Sequence, residues 1–284
     1  MTYRECYEKG SRILNEAGIE ESTLDARLLL EAVCGTDRND LLVHGEQPVA
    51  PEAEEKYLNW IRQRAEHIPL QQLTGEQDFM GLTFSVNEHV LIPRQDTEIL
   101  VEEVLKELHD GMRVLDMCTG SGCILLSLLH YSNDCEGLGV DLSAEALEVA
   151  GRNVLKVLTP EKAEHAHFLQ SDLFEKVEGK FEIIVSNPPY IASAEVEKLM
   201  PEVRDHEPRM ALDGTEDGLH FYRRIIEEAG KLLVSSGMLF LEIGYDQGQA
   251  VSELMRTEGY CEVQVVQDYA GLDRVVLGTY CERN

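Results

Sequence analysis

From residue 113 onward, short apolar segments typical of strands alternate with segments of helical periodicity, and this alternation limits the possible folds most strongly. Strands are predicted at residues 113–116, 136–141, 167–170, 181–186 and 237–243, with two final strands at 261–267 and 274–279. Strands joined through helices become parallel neighbours in one sheet, and the almost wholly apolar segment 181–186 is typical of a strand buried on both faces. The pattern therefore predicts an α/β fold with a doubly wound, mostly parallel sheet.

The residues before this alternation have a different character. Helical periodicity covers three segments, at 3–17, 22–34 and 52–67. Apolar residues then alternate around Gly75 and Gly81, which is typical of a short hairpin. The sequence thus predicts an all-helical domain at residues 1–72, a β-hairpin linker at 73–92 and an α/β domain at 93–284.

The chain is strongly acidic. Its 284 residues include 53 Asp and Glu against 25 Lys and Arg, a formal net charge of −28. Such a surface repels phosphate groups, so direct binding of nucleic acid is not expected. The longest apolar stretches, such as residues 124–129, fall far short of the roughly 20 residues that cross a bilayer, and the first residues lack the apolar core of a secretion signal. We therefore expect a cytoplasmic protein that does not contact a membrane.

Seven cysteines are scattered along the chain, and none forms a CxxC pair. A zinc ribbon and a disulfide framework are therefore not expected, and a reducing compartment suits the chain. His165 and His167 lie two positions apart without a third ligand motif, so no metal site is expected. Cys118 and Cys123 are interpreted as small apolar residues that fill space.

The first strand of the α/β part ends in a glycine-rich turn, residues 116–122. Gly120 and Gly122 let the backbone approach a ligand closely, and a helix follows directly. A dinucleotide fingerprint requires glycine at position 125, which is leucine in this chain. The turn indicates a ligand other than NAD, and a tight turn without any ligand is the alternative.

Acidic residues mark the ends of the next two predicted strands. Asp141 lies at the edge where open α/β sheets bind ligands, and its carboxylate suits both hydroxyls of a ribose; an N-cap of the following helix is the alternative. Asp172 suits an adenine amino group, with Leu173 or Phe174 against the ring, and a turn or capping role is the alternative. Because the turn contains no Lys or Arg, these residues predict an adenosine-type ligand without phosphates, and cationic S-adenosylmethionine suits such an acidic pocket.

The tetrapeptide Asn187-Pro188-Pro189-Tyr190 directly follows the apolar segment 181–186. Two prolines fix the backbone and remove two N–H donors, which leaves the Asn187 side-chain oxygen and the Pro188 carbonyl as rigid acceptors. Those oxygens can accept both hydrogens of a planar NH2 group and hold its nitrogen toward a methyl donor. Tyr190 is interpreted as a flat wall against the substrate, and a proline-rich turn without function is the alternative.

Arg94 precedes a predicted helix, next to the expected active face. We interpret its guanidinium as a substrate-binding group. A structural ion pair with Asp96 or Glu98 is the alternative.

Over nearly its whole length the chain resembles the release factor glutamine methyltransferase family, the HemK-type protein-(glutamine-N5) methyltransferases. The resemblance rests on segments 91–94, 96–98, 116–122, 171–172, 187–190, 201–203, 207–208, 211–212, 217–219 and 268–271, and on Asp141. The tetrapeptide alone is shared with enzymes that methylate adenine in nucleic acid. Segment 91–94 and the segments after the tetrapeptide are more specific to the glutamine group.

The resemblance implies a Rossmann-like methyltransferase domain that uses S-adenosyl-L-methionine, and a small helical domain that we expect to dock the substrate protein. The implied substrate is the N5 amide of the glutamine in the Gly-Gly-Gln motif of peptide chain release factors. Together with the reasoning above, the expected catalytic and substrate-binding residues are Asn187, Pro188, Pro189 and Tyr190, with Arg94 at the substrate. The expected cofactor-binding residues are Asp116, Cys118, Thr119, Gly120, Ser121, Gly122, Asp141, Asp172, Leu173 and Asn187.

Two positions depart from the family pattern. Cys118 stands where a glycine is frequent, which predicts a slightly remodelled turn. Leu173 stands where some members have an aromatic residue, so the stacking of adenine at this position is in question.

Two other functions stay open. An adenine-N6 methyltransferase acting on DNA or RNA would use the same four residues on a flipped base, although the net charge of −28 opposes binding to a duplex. A non-enzymatic adaptor that only binds the cofactor would have no use for the two acceptor oxygens. For the main interpretation we expect a monomer whose protein partners are release factors.

Overall fold

The structure is a computed structural model that describes residues 1–281 and divides into two compact units. Met1–Gly75 and the short segment Met200–His206 form the first unit. Glu76–Leu199 and residues 207–281 form the second. The first unit thus includes a segment that lies far along the chain, between the tetrapeptide and the end of the α/β part.

The predicted helices and strands are present in the predicted order, and the structure adds five short helices of four to six residues within residues 1–281. The helices are α1 (Tyr3–Glu16), α2 (Ser22–Cys34), α3 (Arg38–Val43), α4 (Pro51–Ala65), α5 (Leu70–Thr74), α6 (Glu98–Glu107), α7 (Cys123–Tyr131), α8 (Ala144–Val157), α9 (Pro160–Ala163), α10 (Ser193–Val196), α11 (Pro201–His206), α12 (His220–Leu232) and α13 (Gly248–Thr257). The strands are β1 (Glu76–Phe79), β2 (Leu82–Ser85), β3 (Arg113–Met117), β4 (Glu136–Asp141), β5 (Ala166–Gln170), β6 (Phe181–Ser186), β7 (Leu233–Glu242), β8 (Tyr260–Gln267) and β9 (Asp273–Tyr280).

The first unit is a small helical domain. The three predicted helices are confirmed as α1, α2 and α4, and local sequence explains their ends. Thr2 and Glu5 form a reciprocal capping box at the start of α1, Gly35 ends α2 in the left-handed conformation, and Pro51 opens α4. The shared core of these helices contains Cys6, Leu14, Leu29, Leu30, Tyr57 and Ile61, all fully buried.

A buried cation connects α11 to the rest of the first unit. Nε of Arg64 donates to Oδ2 of Asp25 at 2.7 Å, and Nη1 of the same guanidinium donates to Oε1 of Glu202 at 3.0 Å. Nδ1 of His67 lies 3.0 Å from the same Glu202 oxygen. Because both carboxylates depend on Arg64 for charge balance, this network fixes the segment after the tetrapeptide within the helical unit.

Two mid-helix glycines provide a test of packing in the two units. A Cβ added to Gly10 in α1 would lie 1.9 Å from Oη of Tyr57, whereas a Cβ added to Gly151 in α8 would meet nothing within 4 Å. We expect Gly10→Ala to lower the free energy of unfolding by about 1–3 kcal/mol through overpacking. The matched Gly151→Ala should raise it by about 0.5–1 kcal/mol through helix propensity. Urea titrations of both variants measure the two signs, and a stabilising Gly10→Ala would contradict this packing.

The second unit contains a hairpin and a seven-stranded sheet. β1 and β2 pair in antiparallel fashion, as the sequence predicts. The sheet has the order β5-β4-β3-β6-β7-β9-β8, in which the first five strands run parallel and β9 runs antiparallel to both of its neighbours. Apolar clusters cover both faces, so the predicted doubly wound, mostly parallel sheet is confirmed. The strand order reverses at β3, and open α/β sheets bind ligands at such switch points.

One expectation about the cysteines is wrong. The structure joins Cys261 and Cys281 in a disulfide, with their Cα atoms 6.2 Å apart. The two residues are 20 positions apart and show no motif, but antiparallel pairing of Tyr260 with Tyr280 brings them together across β8 and the end of β9. Strand pairing therefore created a contact that cysteine spacing alone does not reveal.

Candidate active site

The predicted site residues gather at one edge of the sheet because the strands before them end in register. Met117 at the end of β3 pairs with Val140 on one side and with Ser186 on the other. Asp141 pairs with Gln170, the last residue of β5. The glycine-rich turn, the two acidic strand ends and the tetrapeptide therefore begin at nearly the same level, around the switch point.

The turn after β3 has a backbone suited to glycine. Cys118, Gly120 and Gly122 have φ angles of 64°, 54° and 78°, all in the left-handed region. For Cys118 this conformation costs roughly 1–2 kcal/mol relative to glycine, so the turn retains a glycine-like backbone at the position where the sequence departs from the family pattern. Burial raises the pKa of the Cys118 thiol far above its usual range, which agrees with its interpretation as a neutral residue that fills space.

Asp116 supports the turn from inside the sheet. Its Oδ2 accepts a hydrogen bond from Oγ1 of Thr119 at 2.6 Å and one from the backbone N of Leu125 at 3.3 Å. The residue is fully buried and does not line the cavity at the sheet edge. Burial raises the pKa of this carboxyl to about 7 against the effect of those hydrogen bonds. Asp116 therefore fixes the shape of the turn and has no surface toward the cavity.

Asp141 holds the other side of the turn. Its Oδ2 accepts from the backbone N of Gly120 at 2.9 Å, and its Oδ1 accepts from the backbone N of Ser143 at 2.9 Å. The N-cap of α8 is Ser143, whose Oγ accepts from the backbone N of Ala146, so the alternative capping role of Asp141 is wrong. Asp141 lines the cavity, and its desolvation raises the pKa of the carboxyl.

The end of β5 supplies Asp172 and Leu173, which both line the cavity. Oδ1 of Asp172 lies 2.9 Å from Nη1 of Arg224, so this carboxylate already has a partner. Phe174 is buried in the core of the sheet and does not line the cavity. Of Leu173 and Phe174, the two residues predicted to pack against an adenine ring, Leu173 is therefore the one that lines the cavity.

The tetrapeptide forms a stiff corner after β6. Asn187 and Pro189 line the cavity, whereas Pro188 is buried and does not line it. Nδ2 of Asn187 donates to Oγ1 of Thr97 at 3.4 Å. Within residues 1–281, no donor contacts Oδ1 of Asn187 or the carbonyl oxygen of Pro188. The two acceptors that the sequence predicts are therefore free of protein partners.

Tyr190 has a different position from the predicted one. Its Oη donates to Oε1 of Glu242 at 3.3 Å, and its carbonyl oxygen accepts from Nε2 of Gln247 at 3.0 Å. The ring packs against the core of the sheet and is absent from the residues that line the cavity. The arrangement therefore does not support a flat wall of Tyr190 along this cavity, because its hydroxyl is drawn to a buried carboxylate.

Arg94 lines the cavity, but its ion-pair partner differs from those considered. Nη2 of Arg94 lies 2.5 Å from Oε1 of Glu207, whereas Asp96 faces Arg274, at 3.4 Å, and Glu98 accepts from the backbone N of Met80. Glu207 has a side chain only 1% exposed. Glu207 lies 113 positions after Arg94 in the sequence, so local spacing could not identify this pair.

The cavity thus unites most predicted site residues: Arg94, Cys118, Thr119, Gly120, Ser121, Asp141, Asp172, Leu173, Asn187 and Pro189. Its lining excludes four others: Asp116, Gly122, Pro188 and Tyr190. Sequence reasoning missed Thr97, Leu142 and Phe221 in the lining, and Glu242 behind it. Glu242 did carry a signal, because an acidic residue that ends an apolar strand has the same pattern as Asp141.

The chemistry of the cavity suits S-adenosylmethionine. Within residues 1–281, the one Arg or Lys in the lining is Arg94, and Glu207 already neutralises it. Asp141 has backbone donors as its only partners in the same residues, so its carboxylate retains acceptor capacity. Leu142 and Leu173 add an apolar surface beside it. An acidic cavity with an apolar side fits a cationic nucleoside that carries no phosphate.

No group of three or more His, Cys, Asp or Glu within residues 1–281 has a geometry that would hold a metal ion. None of the helices described has the length and apolar character needed to cross a bilayer.

Comparison with known proteins gives concordant matches for both units. The family described as "PrmC N-terminal domain" matches residues 5–75, and the family described as "Methyltransferase small domain" matches residues 94–203. A release factor glutamine methyltransferase of Moorella thermoacetica is 44% identical over 281 residues, which cover 98% of each chain. A release factor glutamine methyltransferase of Clostridium acetobutylicum is 40% identical over 281 residues, again with 98% of each chain covered.

Among solved structures, a methyltransferase from Pyrococcus furiosus has a similar fold. The TM-score is 0.51 at 18% identity, with 72% of this chain and 91% of that one covered. At this identity the likeness concerns the fold alone, and it agrees with a methyltransferase-type α/β sheet.

Proposed function

The chain belongs to the release factor glutamine methyltransferase family, and on that premise we propose that it methylates N5 of the glutamine in the Gly-Gly-Gln motif of peptide chain release factors, with S-adenosyl-L-methionine as the methyl donor. The observation that carries this proposal is Asn187, which lines the cavity and whose Oδ1 no donor in residues 1–281 contacts. The carbonyl oxygen of Pro188, a residue outside the cavity lining, likewise has no donor in residues 1–281, and we assign it as the second acceptor. The names of the relatives favour a protein glutamine over the adenine-N6 alternative.

The two acceptors explain how an amide becomes a usable nucleophile. A carboxamide nitrogen is weakly nucleophilic because its lone pair is delocalised into the carbonyl group. Asn187 and Pro188 accept its two hydrogens, which aligns the nitrogen and returns electron density to it as the new bond forms. S-adenosylmethionine, when bound, supplies an electrophilic methyl group on a sulfonium. The nitrogen gains that methyl group, the electrons of the broken S–C bond remain on sulfur, and the methylated nitrogen releases a proton to solvent.

Other cavity residues suit the cofactor. We assign the ribose hydroxyls to Asp141, the methionine end to the turn at residues 118–122, and the adenine to the side formed by Leu142, Asp172 and Leu173. The carboxylate of Asp141 serves two functions in this proposal, because it also fixes the turn through Gly120. Arg94, neutralised by Glu207, would contact the substrate protein near the cavity mouth.

We further propose that residues 1–72 dock the release factor outside its Gly-Gly-Gln motif, with residues 73–92 as the linker and 93–284 as the catalytic domain. The helical domain has exposed apolar side chains at the end of α3, Leu42 and Val43, which are 71% and 74% exposed. An exposed pair of this kind suits a protein partner. We propose that the enzyme acts in the cytoplasm, where release factors act, and that it acts there as a monomer.

The double variant Leu42→Ser/Val43→Ser tests the docking role. Burial of one such side chain is worth ~1.5–3 kcal/mol, so KM for an intact release factor should rise by about tenfold or more. KM for a short peptide that contains Gly-Gly-Gln should not change. Leu155→Ser, at an 83% exposed leucine of α8, is the matched control and should alter neither value. Equal effects of the double variant on both substrates would refute docking at this surface.

The proposed reaction is tested by mass spectrometry of a release factor incubated with the enzyme and S-adenosylmethionine. We expect a gain of one methyl group on the glutamine of Gly-Gly-Gln and none in a Gln→Asn release factor. Duplex DNA with labelled cofactor serves as the competing substrate. Incorporation of label into the DNA but not into the release factor would contradict this proposal and favour the adenine-N6 alternative.

A further inference from the structure

The carbonyl group of Tyr190 is held by a glutamine side chain from another loop. Gln247 lies between β7 and α13, and its Nε2 donates to the carbonyl oxygen of Tyr190 at 3.0 Å and to that of Gly218 at 3.4 Å. Oε1 of the same amide accepts from the backbone N of Gly244 at 2.9 Å. Oη of Tyr222 lies 3.3 Å from that oxygen. Both ends of the Gln247 amide therefore have partners, and these come from separate parts of the second unit.

The backbone around Gln247 fixes the direction of its amide. A carbonyl oxygen accepts hydrogen bonds and cannot donate, whereas a backbone N–H donates and cannot accept. If the amide were turned over, its oxygen would face the carbonyl oxygens of Tyr190 and Gly218, and its NH2 group would face the N–H of Gly244. All of these contacts would be repulsive, so the stable arrangement directs Nε2 at the carbonyl oxygen of Tyr190.

The start of α13 gives no local reason for a glutamine at position 247. Gln247 is the N-cap residue of this helix, where Ser, Thr, Asp and Asn are preferred because their short side chains accept from the first N–H groups. The Gln247 side chain makes no capping hydrogen bond and reaches the end of the tetrapeptide instead. A residue that breaks a local preference in favour of a distant contact indicates that the distant contact is what the position requires.

Two glycines let the segment before α12 approach the same part of the chain. A Cβ added to Gly218 would lie 2.3 Å from the carbonyl oxygen of Tyr190, and one added to Gly214 would lie 2.7 Å from Cα of Tyr190. The backbone N of Gly214 also donates to the carbonyl oxygen of Ile191 at 2.8 Å. This segment therefore packs directly on the end of the tetrapeptide, at the carbonyl group that the glutamine amide holds.

An anchor at Tyr190 matters because prolines do not fix a corner completely. A proline ring fixes φ and leaves ψ free, and the direction of the Pro188 carbonyl depends on ψ of that residue. The chain before the corner is held in β6, where Oγ of Ser186 donates to the carbonyl oxygen of Met117 at 2.6 Å. With the Tyr190 carbonyl held as well, both ends of the corner are fixed, and the ψ angles between them no longer change independently.

We propose that Gln247 is a positioning residue, whose hydrogen bond to Tyr190 fixes the direction in which the Pro188 carbonyl oxygen accepts from the substrate amide. This inference rests on the proposed function and deepens it. Gln247 does not line the cavity, so it contacts neither substrate nor cofactor in this scheme. Its loss should lower kcat and leave cofactor binding unchanged, because a small misplacement of a group that aligns the substrate reduces the rate strongly.

Variants at position 247 test the proposal. Gln247→Met keeps the length of the side chain and removes its hydrogen bonds, and it should lower kcat for release-factor methylation by about tenfold. Gln247→Glu directs a carboxylate oxygen at the Tyr190 carbonyl oxygen and should lower kcat further, by about 10²-fold. Kd for S-adenosylhomocysteine should stay within about twofold of wild type in both variants. Thermal melting checks that each variant is folded.

Gln249 provides matched controls in the same helix. It is exposed, and its Nε2 donates to Oε1 of Glu253 at 2.9 Å. Gln249→Met and Gln249→Glu should both keep wild-type kcat. A folded Gln247→Met enzyme with wild-type kcat, or a Gln247→Met enzyme whose Kd for S-adenosylhomocysteine rises as much as its kcat falls, would overturn the positioning role.

A measurement on the wild type does not depend on the folding of any variant. Both hydrogens on Nε2 of Gln247 are directed at carbonyl oxygens, so in 15N-labelled protein they should exchange with solvent at least about tenfold more slowly than those of exposed Gln249. Equal exchange at the two side chains would also overturn the proposal. Slow exchange at Gln247 in a wild type that does not methylate release factors would instead refute the proposed function.

Discussion

Replacement of Asn187 with alanine is expected to lower kcat for release-factor methylation by about 10²–10³, equivalent to ~3 kcal/mol of transition-state stabilisation, by analogy with the loss of one preorganised oxyanion-hole donor. The variant lacks Oδ1, one of the two acceptors that no group in residues 1–281 contacts. The Pro188 carbonyl alone would then hold one hydrogen of the substrate amide. The nitrogen would lose both its alignment and part of its electron density.

The comparison requires a control for the loss of an asparagine as such. Asn133→Ala, at an exposed position far along the chain from the corner, should keep wild-type kcat. The melting temperature of Asn187→Ala should remain near that of wild type, because the 3.4 Å contact with Thr97 is its one side-chain hydrogen bond in the part of the chain that the structure describes. A folded Asn187→Ala enzyme with nearly wild-type turnover would exclude the two-acceptor mechanism.

Replacement of Asp141 with alanine is expected to raise Kd for S-adenosylhomocysteine, the reaction product, by on the order of 10²-fold. Hydrogen bonds to a charged group are worth about 1.5–3 kcal/mol each, and the variant loses those that we assign to the ribose. It also loses the hydrogen bonds that the carboxylate accepts from the backbone N of Gly120 and Ser143, so the turn becomes less preorganised. Isothermal titration calorimetry measures the affinity directly.

Asp172→Ala is the graded comparison for Asp141→Ala. Asp172 lines the same cavity, but Arg224 already pairs with its carboxylate and its side chain is 44% exposed. Its loss should therefore raise Kd by less than about tenfold. If Asp141→Ala and wild type had equal affinity for S-adenosylhomocysteine, the carboxylate would only stabilise the turn and would not contact the ligand.

Most of the site could be located from the sequence because its residues directly follow the ends of parallel strands. Short segments of four to seven residues identified the parallel strands, and the residues after them had to meet at one edge of the sheet. Asp141 and Asn187 were found in this way, and both line the cavity. The same rule would have found Glu242, which ends an apolar strand two places along the sheet from β3.

Local sequence did not predict contacts between side chains that are distant in the chain. Tyr190 contacts Glu242, 52 positions away, and Arg94 contacts Glu207, 113 positions away. Cys261 meets Cys281 because β8 and β9 pair in antiparallel fashion. Local spacing contains no information about such pairs, since the sheet brings them together only after its strands have found their register.

By itself, the sequence determined the α/β fold, the order of its elements, and the loops after the parallel strands that contain the proposed site residues. These properties follow from hydrophobic periodicity and from the few residue types that tolerate a given turn, which are local features. The tertiary structure decided which of those residues face the cavity, which carboxylate pairs with Tyr190, and that Met200–His206 belongs to the helical unit. These properties depend on register and on burial, because the protonation and orientation of a polar side chain are set by neighbours that only the folded chain provides.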